Sequence, residues 1–198
     1  LLSSSKEDGW ALESFQGEIR AAAVLTHPNA VMVLDHGIVN SESANNAARL
    51  QFKDMSPFLI MELVQGKSFK SFAAQLPWGR LKRLIQQLLS VLAHAHARGV
   101  IHRDIKPENV LIKLPDEDSS RPEAMLTDFG LAQAISEFRG DGDVVAGTPA
   151  YMAPEQLLGS WRDQGPWTDL YSLACTIWRI IAPEAPFGNG GHYADLAY

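Results

Sequence analysis

The chain lacks the features that define several classes of protein. Cys175 is the only cysteine in 198 residues, so neither an internal disulfide nor a cysteine metal cluster can form within it. No apolar run reaches the roughly 20 residues that span a bilayer. A basic excess is also missing, because the formal net charge is −6. We therefore expect a cytoplasmic protein with no nucleic-acid partner and no membrane segment in this chain. A membrane tether elsewhere in the parent protein remains compatible with this expectation.

The start of the chain lacks an initiator methionine. Leu1-Leu2 leads straight into serines and charged residues, without the basic start of a signal peptide. We therefore expect a processed or partial sequence. With 46% hydrophobic and 20% charged residues, the composition is that of an ordinary folded domain and not of a disordered chain.

The first third of the chain alternates helix and strand signals. Residues 10–25 predict an amphipathic helix, which His27-Pro28-Asn29 ends. Short strands are predicted at 30–34 and 38–39, around a turn at Asp35-His36-Gly37. A further apolar run at 58–63 has the length and composition of a strand.

Beyond Gly66 the pattern becomes mainly helical. A leucine-rich stripe at helical spacing predicts a helix that ends near Arg98-Gly99, and its members are Leu81, Leu84, Ile85, Leu88, Leu89 and Leu92. Strands are predicted at 110–112 and 125–127, separated by an acidic loop at 115–123. The second strand would deliver Asp128 at its end.

Two motifs carry chemistry. The first is His102-Arg103-Asp104-Ile105-Lys106-Pro107-Glu108-Asn109, and the second is Asp128-Phe129-Gly130. Asp104 can accept a hydroxyl proton, Lys106 can balance phosphate charge, and Asn109 and Asp128 offer the oxygen ligands that Mg²⁺ prefers. A set of solvated charges in surface turns is the bland alternative, and the order and spacing of the motifs argue against it. Together they resemble the catalytic machinery of eukaryotic-type (Hanks-type) serine/threonine protein kinases.

A third motif supports the same resemblance. The segment from Gly147 to Glu155 is similar to the kinase platform for the substrate residue after the phosphoacceptor, and Thr148 would hydrogen-bond toward Asp104 and Lys106. The residue sequence of this segment is most similar to bacterial members of the family. Asp169 matches the aspartate of the family's helix αF, which supports the backbone of the catalytic loop.

The resemblance implies an α+β, bilobal protein-kinase-like fold that is incomplete at both ends. Residues 1–64 would form a partial N-lobe and hinge, with helix αC and the late strands. Residues 65–198 would form a partial, mostly helical C-lobe up to just past helix αF. The implied activity is transfer of the γ-phosphoryl group of ATP, with Mg²⁺, to a Ser or Thr hydroxyl of a protein substrate.

The resemblance also implies a nucleotide side of the site. Glu18 matches the αC glutamate, Met61 the gatekeeper beside the adenine, and Glu62 and Val64 the hinge backbone, although a buried strand end would read similarly. By the same resemblance, His102 and Phe129 belong to a stack of side chains that links the lobes.

The lysine that pairs with the αC glutamate is missing, and so is any Gly-x-Gly-x-x-Gly loop. Lys6 lies only twelve residues before Glu18, which is too close for that role. We expect this chain alone to bind ATP poorly, and the parent protein to be active.

A regulatory hypothesis concerns Arg103, which in such kinases commonly receives a phosphate on the activation segment. The stretch before Gly147 offers Asp141 and Asp143 instead of a hydroxyl. Either carboxylate could replace the phosphate, with weaker ordering because it carries less charge. A flexible acidic loop is an equal alternative.

Two other functions stay open. A pseudokinase or scaffold would keep the fold without the chemistry, and a lysine strand and glycine-rich loop ahead of Leu1 would argue against it. A small-molecule kinase is the weaker alternative, because the platform at 147–155 points to a protein substrate.

Overall fold

A computed structural model describes residues 25–39, 57–73, 76–114, 121–129, 149–182 and 186. Strands β1 (Val33–Ile38) and β2 (Pro57–Met61) form an antiparallel pair. Strands β3 (Gly66–Ser68), β4 (Val110–Lys113) and β5 (Glu123–Leu126) form a three-stranded antiparallel sheet in that order. The helices are α1 (Phe69–Ala73), α2 (Trp78–His96), α3 (Pro154–Leu157) and α4 (Pro166–Ile181).

The predicted turn at Asp35-His36-Gly37 is wrong, because all three residues lie within β1. The ladder shifts register between Val33 and Asp35, so a bulge absorbs the irregularity. Gly37 lies within the strand, where its lack of a side chain lets the Phe58 ring lie close to the backbone. A Cβ built there would lie 2.7 Å from Cζ of Phe58, the residue opposite on β2.

Helix α2 follows the predicted leucine stripe and forms the centre of the core. Its buried residues are Leu81, Leu84, Leu88, Val91, Leu92 and Ala95. Leu89, which we had placed on the same stripe, is instead 41% exposed. Gly99 follows the helix with φ of +73°, the left-handed conformation expected of a glycine after a helix end.

Strand β5 begins at Glu123, two residues earlier than predicted, and ends at Leu126. Its register pairs Val110 with Leu126. The Thr127 N–H then donates to the Asn109 carbonyl at 3.0 Å, which brings the end of β5 against the catalytic motif. The predicted division of the chain between residues 64 and 65 stays a prediction.

Helix α4 buries an unusually polar face. Thr168, Asp169, Ser172 and Thr176 are all buried on it, together with Leu173, Cys175 and Ile180. Buried polar groups need hydrogen-bond partners, so this face indicates a helix that holds other backbone segments in place. Among the described residues, no helix is both long enough and apolar enough to cross a bilayer.

Candidate active site

The carboxylate of Asp169 on α4 holds the segment that follows α2. Asp169, with no exposed surface, accepts from the His102 N–H at 2.9 Å and from the Arg103 N–H at 2.8 Å. The His96 Nε2 atom lies 2.7 Å from the same carboxylate. Arg103 has φ of 65°, a strained conformation for a side-chain-bearing residue. The buried carboxylate therefore fixes the backbone just before Asp104.

His102 is buried and its ring links three segments. Its Nδ1 atom accepts from the Asp104 N–H at 3.3 Å, so Nε2 carries the proton and donates to the Thr127 carbonyl at 2.8 Å. The ring also packs on Phe129, with centroids 4.7 Å apart. These contacts give His102 a structural position between the two motifs.

Asp104, Lys106 and Asn109 form one connected cluster. Lys106 Nζ lies 2.6 Å from Asp104 Oδ2, and Asn109 Nδ2 donates to the same oxygen at 3.0 Å and to the Asp104 carbonyl at 2.8 Å. Both bonds of Asp104 go to Oδ2, so among the described residues Oδ1 accepts nothing. One carboxylate oxygen of Asp104 is thus held in place by Lys106 and Asn109.

Asp128 follows β5 with φ of 64°. The hydrogen bond from the Thr127 N–H to the Asn109 carbonyl places Asp128 next to the cluster. The Thr127 hydroxyl lies 3.3 Å from Asp128 Oδ1. Positive φ values at both Arg103 and Asp128 are costly, and such strain concentrates at functional sites.

The donor set at this end of β5 suits a hard cation. Because Asn109 Nδ2 faces two acceptors, the amide must point its Oδ1 atom away from Asp104. That oxygen and the Asp128 carboxylate would offer a cation one neutral and one charged oxygen. Mg²⁺ is typically held by one or two protein carboxylates, with water and phosphate completing its shell. The residues present fit this metal.

The predicted hinge segment directly follows β2. The Glu62 N–H donates to the Met32 carbonyl at 3.0 Å, and Glu62 Oε1 accepts from the Met32 N–H at 2.9 Å. These two bonds use the Glu62 N–H and side chain and not its carbonyl, which belongs to the predicted hinge backbone. Val64 lies two residues further along and is partly buried. A small apolar pocket lies behind this segment and is lined by Leu25, Ala30, Val31, Val33, Leu59, Met61, Asp128 and Phe129.

Residues 149–155 are the described part of the predicted platform. Glu155 Oε1 accepts from the Thr168 hydroxyl at 2.5 Å, which ties α3 to the start of α4. Tyr151 lies close enough to Arg179 and to Glu108 of the catalytic motif for both charges to act on its hydroxyl. Burial, and then the charge of Glu108, raise the pKa of the Tyr151 hydroxyl, so it stays neutral. The platform and the catalytic motif are therefore neighbours.

Three residues at the site were not predicted. Gln156 donates to the Arg103 carbonyl at 2.8 Å and accepts from the Ala153 N–H, so it joins the platform to the catalytic motif. Asn29 donates to the Ala124 carbonyl at 2.9 Å and anchors the first described segment on β5. His96 Nε2 lies 2.7 Å from Asp169 Oδ2, on the carboxylate that holds the catalytic motif. The sequence gives no signal for these contacts, which join residues 53 to 95 positions apart.

Several predicted residues lie outside the described ranges. These are Glu18, Thr148, Asp141 and Asp143, and their proposed roles stay predictions.

Comparison with known proteins agrees with this geometry. The family described as "Protein kinase domain" matches residues 2–196. The serine/threonine-protein kinase pkn3 of Myxococcus xanthus is 36% identical over 87% of this chain and 30% of its own length. PknA of Mycobacterium tuberculosis is 34% identical over 96% of this chain and 41% of its own length.

Solved structures share the fold. The PknI kinase domain of M. tuberculosis aligns with a TM-score of 0.65 at 27% identity, over 92% of this chain and 62% of that domain. Rad53, solved with AMP-PNP, aligns with a TM-score of 0.65 at 23% identity, over 93% of this chain and 43% of its own. The chain belongs to the protein kinase domain family, with serine/threonine kinases of bacteria among its relatives, and the predicted kinase fold is confirmed. It spans less than half the length of the curated relatives named above.

Proposed function

We propose that the protein transfers the γ-phosphoryl group of ATP to a Ser or Thr hydroxyl of a protein substrate. The observation that carries this proposal is the cluster around Asp104. Lys106 and Asn109 hold one carboxylate oxygen, and Oδ1 accepts nothing among the described residues. A general base accepts a proton on an oriented oxygen that has no other partner, and Asp104 Oδ1 is suited to that role.

The neighbouring residues have separable roles in this proposal. Lys106 lies beside Asp104, where its ammonium group balances negative charge on the transferred phosphoryl group. Asn109 Oδ1 and the Asp128 carboxylate would hold Mg²⁺, which when bound neutralises phosphate charge and orients the oxygens of ATP. Glu62 and Val64 would present backbone groups to the adenine, with Met61 beside it. Asp169 positions Asp104 through the His102 and Arg103 amides.

A Ser or Thr acceptor on a protein is supported by the platform. Gln156, the residue after the platform, ties it to the catalytic motif, and Glu155 ties it to α4. An ordered surface beside Asp104 suits an extended polypeptide. The named relatives are described as serine/threonine-protein kinases, which supports the same acceptor class.

The test uses the complete protein that contains this chain. It is incubated with γ-labelled ATP, MgCl₂ and a mixture of unfolded proteins, and the labelled products are hydrolysed to identify the phosphorylated amino acid. We expect phosphoserine or phosphothreonine, lost with EDTA or in Asp128→Asn and kept in the exposed control Asp163→Asn. Nucleotide binding without protein labelling would contradict the proposal.

A further inference from the structure

Three arginines converge on a surface pocket away from the site described above. Arg80 and Arg83 lie on the first turns of α2, and Arg121 precedes β5. Arg80, Arg83 and Gln87 have the i, i+3, i+7 spacing that puts them on one helix face. Gln87 and Pro122 complete the wall of this arginine pocket, whose volume is about 140 Å³.

The pocket has a fixed frame and mobile charges. Gln87 Oε1 accepts from the Ala124 N–H at 2.8 Å, which holds the helix face against the start of β5. All three arginines are exposed, so their guanidinium groups can adjust to a bound group. The volume equals that of about five water molecules, enough for a carboxylate side chain.

Charge makes the pocket unusual for this protein. The formal net charge of the whole chain is −6, yet three arginine side chains line this one pocket. Among the described residues, none of the three forms an ion pair with an acidic side chain within 4.0 Å. Arginine does not deprotonate in proteins, so all three groups stay positive and a bound anion would reduce their mutual repulsion.

The pocket is remote from phosphoryl transfer. The catalytic motif follows the C-terminal end of α2, whereas the arginines lie at its N-terminal end. Thirteen residues separate Arg83 from His96, which is about 20 Å along a helix. A group bound here cannot be the phosphates of a nucleotide in the active site.

We propose that the arginine pocket is a docking site for a short segment of a protein partner that is rich in Asp and Glu. Arginine forks bind carboxylates in a bidentate manner, and two arginines on successive helix turns can engage neighbouring acidic side chains. A nucleic acid or an anionic membrane fits less well, because its extended negative charge would meet the net negative charge of the protein. The inference concerns binding alone and holds whether or not the protein transfers phosphate.

The test measures binding of a fluorescein-labelled hexaglutamate peptide to the complete protein by fluorescence anisotropy at low salt. Since exposed ion pairs each contribute modestly, R80Q/R83Q should weaken binding roughly fivefold to tenfold. The matched control Lys82→Gln removes a charge from the same helix but not from the pocket, and should change binding less than about twofold. A hexaglutamine peptide should not bind.

Four results would overturn the proposal. Equal binding by the wild type and R80Q/R83Q, or equal losses in R80Q/R83Q and Lys82→Gln, would show that the pocket is not the site. Loss in R80Q/R83Q of binding to DNA or phosphatidylserine vesicles, with no peptide binding, would assign another class of partner. Peptide binding that appears only in D116N/E117Q/D118N would mean that the chain's own acidic residues occupy the pocket.

Discussion

Replacing Asp169 by Asn removes one of the two oxygens that hold the catalytic motif. Asn is nearly the same size but has one acceptor oxygen, whereas Asp169 receives the Arg103 N–H on Oδ1 and both His102 N–H and His96 on Oδ2. At least one donor must then face an amide NH₂ group. Hydrogen bonds to charged groups contribute roughly 1.5–3 kcal/mol each, so we expect Asp169→Asn to lower the free energy of unfolding by about 2–4 kcal/mol.

The assay is urea unfolding of the complete protein, followed by circular dichroism, together with amide hydrogen exchange. The matched control is Asp163→Asn, an exposed aspartate near the start of α4 that should change stability by less than about 0.5 kcal/mol. In Asp169→Asn the amides of His102 and Arg103 should exchange much faster, because each depends on that carboxylate. Unchanged stability and protected amides would refute this account of how Asp104 is positioned.

Three further predictions concern single residues. Gly99→Ala should destabilise the protein by roughly 1–2 kcal/mol, because φ at Gly99 is +73°. Gly79→Ala should stabilise it by up to about 1 kcal/mol, because Gly79 lies in α2 and a Cβ there would have nothing within 4 Å. Thermal unfolding of the two variants distinguishes these effects. Gln156→Leu should lower kcat and cost about 1–3 kcal/mol, because the Arg103 carbonyl loses its donor. Burial, and then the charge of His94, lower the pKa of His27 below 6.5. The free energy of unfolding should therefore decrease as the pH falls below 6.5, because the unfolded state then binds the proton more readily. NMR titration should show a higher His27 pKa in His94→Gln.

The catalytic motif could be predicted from sequence because its residues are close together in the chain. Asp104, Lys106 and Asn109 lie within six residues, so the sequence already places them near one another. The leucine stripe of α2 was readable for a similar reason, since a period of 3.6 residues is a local pattern.

The contacts that fix the motif could not be predicted in this way. Gln156 and Asn29 act on backbone groups 53 and 95 residues away, and neither has a local pattern that marks its role. The error at Asp35–Gly37 has a related cause. These residue types favour turns, but Gly37 faces the Phe58 ring of a strand that lies twenty residues further along the chain.

The central claim is that Asp104, held by Lys106 and Asn109, is the base for phosphoryl transfer. The most direct measurement is kcat and the Mg-ATP dissociation constant of the complete protein and of its Asp104→Asn variant. Asn keeps the shape and loses the basic oxygen, so we predict that kcat falls by at least about 100-fold, the lower range for general-base catalysis, with nucleotide affinity changed little. A variant that keeps most of the wild-type kcat would contradict the claim.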